Sequence, residues 1–450
     1  MSITVYKNAR IFTGKEIIEN GVIAVSHSHK EFVAPEQGKT PVKVAPALGD
    51  KLEYAGPQDG YDCPEEAEVV DLSGCTVLPG LVDCAARLDT LNPASDDYIN
   101  NIRTPFRTYI AYRSAAEALN AGVTTIRTMS MPNNIDLGLR DAINKTMFFG
   151  PTLLAAGPTY AVTAGYGHEK YGLIMKSGCD ALRGEMRIHI ARGVNGITLQ
   201  VSGKPMESLN GEYRKEMSDA EVKALVKHAK GAEKNVLCIA NGDPSVSISI
   251  EAGAYGILEG RRMSAENIRA MAEKGICYIP CLVATEGTEF EAEHKAVVAE
   301  AIKAGVKIGA GTEMLPSEPM DGTVAMIREI ELLKECGMSN VEALQAATCT
   351  AAGISGSKAG FLAAGKAPDF IAVEGKPDED LAALRKLVMV VKGGRRAFAQ
   401  LEGCKERAFH IMPPGYNVCG GTTFDWAADA TQGVIDPPNY NDMWNLRKEI

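Results

Sequence analysis

From Pro79 onward the chain repeats one pattern: a short β-branched, apolar run followed by an amphipathic helical stretch. Eight such runs can be counted, at 81–83, 124–128, 153–156, 196–201, 236–240, 256–258, 277–283 and 307–311. Helical periodicity separates them, most clearly over 218–233, 264–274 and 290–304. Ser218 with Glu221 forms an S-x-x-E capping box, the clearest helix start in the chain. Eight strands joined by helices close most naturally into a parallel barrel, so the expected class is α/β with a (β/α)8 TIM barrel over 79–362.

The two ends read differently. Residues 1–78 alternate apolar and polar positions, and β texture returns after the barrel at 370–373 and 387–392. The expectation is one composite β-sandwich domain built from 1–78 and 363–412. Residues 27–63 interrupt the first part with a Pro-, Gly- and Lys-rich insertion, and 413–450 form a C-terminal tail without an assignable element. That tail holds both tryptophans, Trp426 and Trp444, beside Tyr416 and Tyr440. Aromatics without a core of their own need a surface to cover them, so a homo-oligomer is expected.

Charge and composition exclude several classes. Lys+Arg is 47 against Asp+Glu 57, a net charge of −10, so neither nucleic acid nor an anionic membrane surface is an expected partner. No apolar run approaches the ~18 residues of a membrane span. Eleven cysteines without C-x-x-C spacing read as reduced thiols, and a cytoplasmic location is expected. The remaining partner class is a small-molecule substrate, and no dinucleotide fingerprint or other cofactor signature is legible.

Several segments in order resemble the amidohydrolase superfamily, especially its imidazolonepropionase-like and Xaa-Pro-dipeptidase-like branch. They are Asp71-Leu-Ser-Gly, Pro79-Gly-Leu-Val-Asp83, Ala121-Gly-Val-Thr-Thr-Ile-Arg127, Thr163-Ala-Gly-Tyr-Gly-His168, Glu251-Ala-Gly-Ala, Gly305-Val-Lys-Ile-Gly-Ala-Gly-Thr312 and Gly365-Lys-Ala-Pro-Asp-Phe370. The resemblance implies a barrel, a small β domain from both chain ends, and one or two divalent metals at the C-terminal ends of the barrel strands. It also implies which positions hold the ligands, and there this chain departs. The first-strand H-x-H is Ala85 and Arg87, the strand-four lysine is Thr198, and the strand-five histidine is Ile239 with Asn241 beside it. The strand-six histidine is Glu259, and the strand-eight catalytic aspartate is Glu313.

A dication wants imidazole nitrogen and anionic oxygen, and a permanently protonated arginine repels it. The expected site is therefore metal-free, with Arg87 as the electrophile pairing Glu259 and Glu313, and Glu313 moving the proton. His168, Tyr166, Asn241, Thr198 and Cys281 are the expected substrate-facing groups. The rival reading of the same residues is a structural salt bridge filling a disused metal cavity. His27-Ser-His29 lies before the barrel and carries no metal expectation, and His189, His228, His294 and His410 are expected on the surface. Cys84 and Cys238 are expected against helices.

The function expected is metal-independent hydrolysis of a small cyclic or amide-like substrate. The alternatives are a metal-free isomerase or lyase working beside a carbonyl, and a catalytically dead homologue serving as a scaffold or ligand-binding subunit.

Overall fold

The computed structural model describes residues 2–27, 50–89, 103–166, 173–203, 213–320, 322–401 and 404–407. His168, His29, His410, the tail 413–450 and most of the 27–63 insertion lie outside the described residues.

The chain opens with a hairpin, β1 (Ser2–Phe12) and β2 (Ile17–His27), whose apolar positions Val5, Ile11, Ile23 and Val25 are all buried. β3 (Lys51–Pro57) extends it antiparallel to β2, while β4 (Glu68–Asp71) and β5 (Cys75–Pro79) run parallel to β1. Only Gly80 separates β5 from the first barrel strand.

The barrel strands are parallel throughout. β6 (Leu81–Ala86) pairs β7 (Val123–Thr128), which pairs β8 (Thr152–Leu154). β9 (Thr159–Ala161) carries a short neighbour, β10 (Leu173–Met175), on one side and β11 (Ile197–Gln200) on the other. β12 (Val236–Ile239), β13 (Gly256–Leu258) and β14 (Cys277–Ile279) follow in order. The third stave, read in the sequence as one strand over 153–156, is thus split: β8 bonds to β7 and β9 to β11. The eighth, 307–311, is a single parallel bridge from Ile308 to Tyr278 rather than a full strand. It nevertheless closes the cylinder, because Cys84 N–H donates to Ala310 O at 2.9 Å and Glu313 N–H to Ala85 O at 2.7 Å. The approach there is close: a Cβ on Gly311 would stand 2.6 Å from Ile279 Cγ2.

Side chains alternate across each stave. Leu237, Ile239, Leu258 and Ile279 fill the interior, joined by Ala351 and Ile354 of the helix Cys349–Ser355. Cys238, Ile257 and Tyr278 face the outer helices. Each such fully buried aliphatic side chain stabilises the fold by about 2 kcal/mol. The helix Asp219–Gly231 begins at Ser218 with both halves of the capping box formed.

A two-residue ribbon, β15 (Pro319–Met320) with β16 (Thr323–Val324), precedes the helix Ala325–Glu335. The chain then rejoins the first sheet. β17 (Phe370–Glu374) lies antiparallel to β5, followed outward by β18 (Leu387–Lys392), β19 (Arg395–Leu401) and β20 (Cys404–Arg407). Both chain ends therefore share one nine-stranded sheet. It curls over its own core: Leu52 N–H donates to Lys366 O at 3.0 Å, and the Tyr6 and Phe370 rings meet edge-on at 5.1 Å. No helix among the described residues is long and apolar enough to cross a membrane.

Candidate functional site

The C-terminal ends of strands six, seven and eight each finish in a non-glycine residue with left-handed backbone: Glu259 (φ 64), Cys281 (φ 55) and Glu313 (φ 57). That conformation costs of order 1 kcal/mol apiece and persists where surrounding structure enforces it. At Glu259 and the following Gly260 (φ 53) it folds the chain back, so that Arg261 returns toward the barrel.

Arg261 is the cation between the two glutamates. Its Nη2 donates to Glu313 Oε2 at 3.1 Å, and its Nε stands 3.4 Å from Glu259 Oε2. Asn241 locks this arrangement from strand five: its Nδ2 donates to Glu259 Oε2 at 2.8 Å, and its Oδ1 accepts from Arg261 N–H at 2.8 Å. Asn241 N–H in turn donates to Ser202 Oγ at 2.7 Å. The Glu259 side chain is 2% exposed and that of Glu313 12%; Glu259 is thus sealed in, while Glu313 reaches the mouth.

The expectation that Arg87 pairs these carboxylates is corrected. Arg87 Nη2 stands 3.9 Å from the buried Asp89, whose other oxygen accepts from Arg107 Nε at 2.5 Å. Thr198 is also engaged elsewhere, accepting from Arg127 Nη2 at 3.1 Å inside the barrel. Burial lowers the Arg127 guanidinium to about 10. Cys281 is fully buried beside the glutamates; burial, then the charge of Glu313, pushes its thiol well up, which disfavours the thiolate a nucleophile needs. Tyr166 N–H donates to both oxygens of Glu216, at 3.0 and 2.9 Å. The structure thus assembles Glu313, Glu259 and Asn241, with Cys281 adjacent, and sets Thr198 apart.

Two histidines expected on the surface are buried. His294 Nε2 meets Glu259 O at 3.0 Å and Nδ1 meets Thr285 Oγ1 at 2.9 Å; burial lowers it to about 3, so it is neutral. His189 is 4% exposed. His27 ties Asp50 to Thr4 within the sheet, at 2.8 and 2.9 Å. Cys84 packs against the helix Cys349–Ser355, with Sγ 3.5 Å from both Ala351 O and Ser355 Oγ, and through it joins the interior cluster.

Four groups escaped sequence reasoning. Tyr213 is 7% exposed, its buried Oη has no hydrogen-bond partner among the described residues, and burial, with the charges of Arg261 and Glu259 acting after it, pushes its phenol up to about 12. Asp83 cross-links strands one and eight, accepting from Ala85 N–H (2.9 Å), Thr312 N–H (3.2 Å) and Thr312 Oγ1 (2.7 Å); burial raises it to about 6. Glu329 accepts from Val283 N–H at 2.8 Å, beside Cys281, and burial raises it to about 8. Arg261 itself had one signal, a charged residue two positions beyond a strand-end glutamate.

Among the described residues no group of three or more His, Cys, Asp or Glu is placed to hold a metal ion. The barrel with its strand-end carboxylates and composite sheet is an amidohydrolase architecture, and the family model for amidohydrolases matches residues 76–397. The chain belongs to the amidohydrolase family. Among solved structures it is similar to a Xaa-Pro dipeptidase with methionine bound in the active site, at 23% identity and TM-score 0.71, over 88% of this chain and 99% of that one. It is also similar to A. niger ochratoxinase, at 21% and 0.74 over 89% and 96%, and to a putative prolidase from Bifidobacterium longum, at 24% and 0.71 over 89% and 97%. No curated protein matches it.

Proposed function

We propose that this amidohydrolase hydrolyses a small cyclic or amide-like substrate without a metal, using Arg261 where its relatives are expected to use a dication. The observation that carries the reading is the position of Arg261 between Glu259 and Glu313. The donor set does not suit a metal: Ala85 and Ile239 offer no ligand atom, Arg87 and Arg261 are cations, and both glutamates face a guanidinium. A dication entering there would have to displace Arg261 from a buried ion pair, which leaves that charge uncompensated.

Within this reading Arg261 and Tyr213 Oη–H donate to the substrate carbonyl oxygen, stabilising the negative charge that develops on it. Glu313 takes a proton from a water molecule as its oxygen bonds to the carbonyl carbon. The C–N bond then breaks, and the departing nitrogen receives that proton from Glu313. Glu259 and Asn241 act through Arg261 by fixing its direction. The electrophile expected at Arg87 is thereby moved to Arg261.

The test is turnover of a panel of dipeptides, cyclic amides and cyclic ureas by chelator-treated protein. Glu313→Gln keeps the shape and removes the base, and should cost about 10²–10⁴-fold in kcat on any substrate found. Survival of more than about a tenth of the activity would remove Glu313 from this role.

A further inference from the structure

Between the helix Cys179–Ala191 and the turns at Pro132–Asn134 and Pro158 lies a half-open cleft of about 250 Å3. Pro132, Pro158 and Ile188 give it apolar walls, and Glu185, His189 and Arg192 line it from the helix Cys179–Ala191 and its C-cap. Ile188 is 45% exposed.

The polar groups are arranged by charge. Glu185 and Arg192 are seven residues apart, two turns on one helix face, with His189 between them. Arg192 makes no side-chain hydrogen bond or ion pair among the described residues. Glu185 pairs with Lys176, whose Nζ stands 3.6 Å away in a half-exposed pair of little strength. His189 is 4% exposed, and both of its ring contacts, to Tyr160 Oη and to Glu185 O (3.0 Å each), are made by Nδ1. Nε2 has no partner among the described residues, and it belongs to a side chain lining the cleft. Asn134, held at φ 57, also lines the cleft, and its buried Oδ1 has no hydrogen-bond partner among the described residues. The cleft therefore presents an anion and an open acceptor, an unengaged guanidinium, and an apolar wall.

We infer that this cleft is a second binding site, taking a zwitterionic α-amino acid with an apolar side chain. Arg192 receives the carboxylate, Glu185 with Asn134 Oδ1 receives the ammonium group, and the side chain lies against Pro132, Pro158 and Ile188. A purely apolar ligand would leave the polar atoms unmatched, and a simple anion would meet Glu185. The inference is independent of the hydrolytic reading, since among the described residues none of these groups is bonded to Glu259, Arg261 or Glu313.

The experiment is calorimetric titration of the full chain with leucine, N-acetyl-leucine and leucinamide. Leucine should bind, and removing either charge should weaken it about tenfold or more. Arg192→Ala and Glu185→Gln, both at solvent-accessible positions, should weaken leucine by a similar factor, while Glu313→Gln should leave it within about twofold. Leucine binding lost in Glu313→Gln but kept in Arg192→Ala would place the ligand at the barrel mouth and overturn the inference. Absence of leucine binding, or leucinamide binding as tightly as leucine, would overturn it equally.

Discussion

Arg261 Nη2 donates to Glu313 Oε2 at 3.1 Å, joining the loop after strand six to the end of strand eight across the barrel mouth. Together with the approach of Nε to Glu259, this makes one guanidinium the shared counter-ion of a buried carboxylate and a half-buried one. Removing half of such a group is costly because it strands the other charges away from water.

Arg261→Met should therefore destabilise the protein by about 3 kcal/mol near neutral pH. The two carboxylates left behind repel, so one holds a proton more tightly when folded than when unfolded. A carboxyl raised in this way stabilises at low pH and loses that contribution as pH rises, so the variant should partly recover below pH 5. Adding Glu259→Gln and Glu313→Gln to it should restore stability at neutral pH. Denaturant midpoints at pH 5 and pH 8 check this, and a loss below about 0.5 kcal/mol would show that the ion pair contributes little.

Tyr213→Phe removes one oxygen from a buried ring and no packing. On a substrate identified by the panel it should lower kcat by about a hundredfold with little change in KM, the signature of a donor that works in the transition state. A kcat within about twofold of the parent protein would mean that the hydroxyl serves only a bound water.

Glu329 gives a pH dependence of opposite sense to acid denaturation. Burial raises its carboxyl to about 8 against an ordinary 4.5, so its contribution is complete below pH 4.5 and disappears as pH climbs through 8. Glu329→Gln keeps an acceptor for Val283 N–H and cannot ionise. The variant's thermal midpoint should gain on the parent's as pH rises from 6 to 8.5; a constant difference across that range would contradict the buried, proton-holding state.

His294 behaves in the reverse way. Its folded value of about 3 lies below the ordinary 6.5, so it contributes stability above pH 6.5 that is lost as pH falls toward 3. His294→Gln should flatten the acid limb of the stability profile between pH 6 and 4, measured by denaturant midpoint. An acid limb as steep as the parent's would assign it to other groups.

Much of the scaffold was legible because it is written in local periodicity. The Ser218–Glu221 capping box, the alternation in β12 and the return of β texture at Phe370 each follow from spacing alone. The eighth stave was less so, since Gly309 and Gly311 are set by the close approach of Cys84, Ile354 and Ile279, which only the closed barrel creates. Arg261 was less legible for a related reason: the family resemblance points to strand-end positions, and a left-handed turn at Glu259 and Gly260 brings in a residue from beyond them. His294 did carry a readable signal, sharing one helix face with the buried Val297 and Val298. The charge pattern in the cleft depends on bringing Asn134 and Pro158 beside the helix Cys179–Ala191, which no one-dimensional reading supplies.

The central claim is that Arg261 stands in place of a metal, and metal content tests it most directly. Protein purified without chelator, and again after incubation with zinc or manganese and desalting, should contain well under one equivalent of metal by elemental analysis. Any turnover found should be unchanged by chelator. Stoichiometric metal that is lost in Glu259→Gln or Glu313→Gln, with activity abolished by chelator, would contradict the account and make Arg261 a gate to an ordinary metal centre.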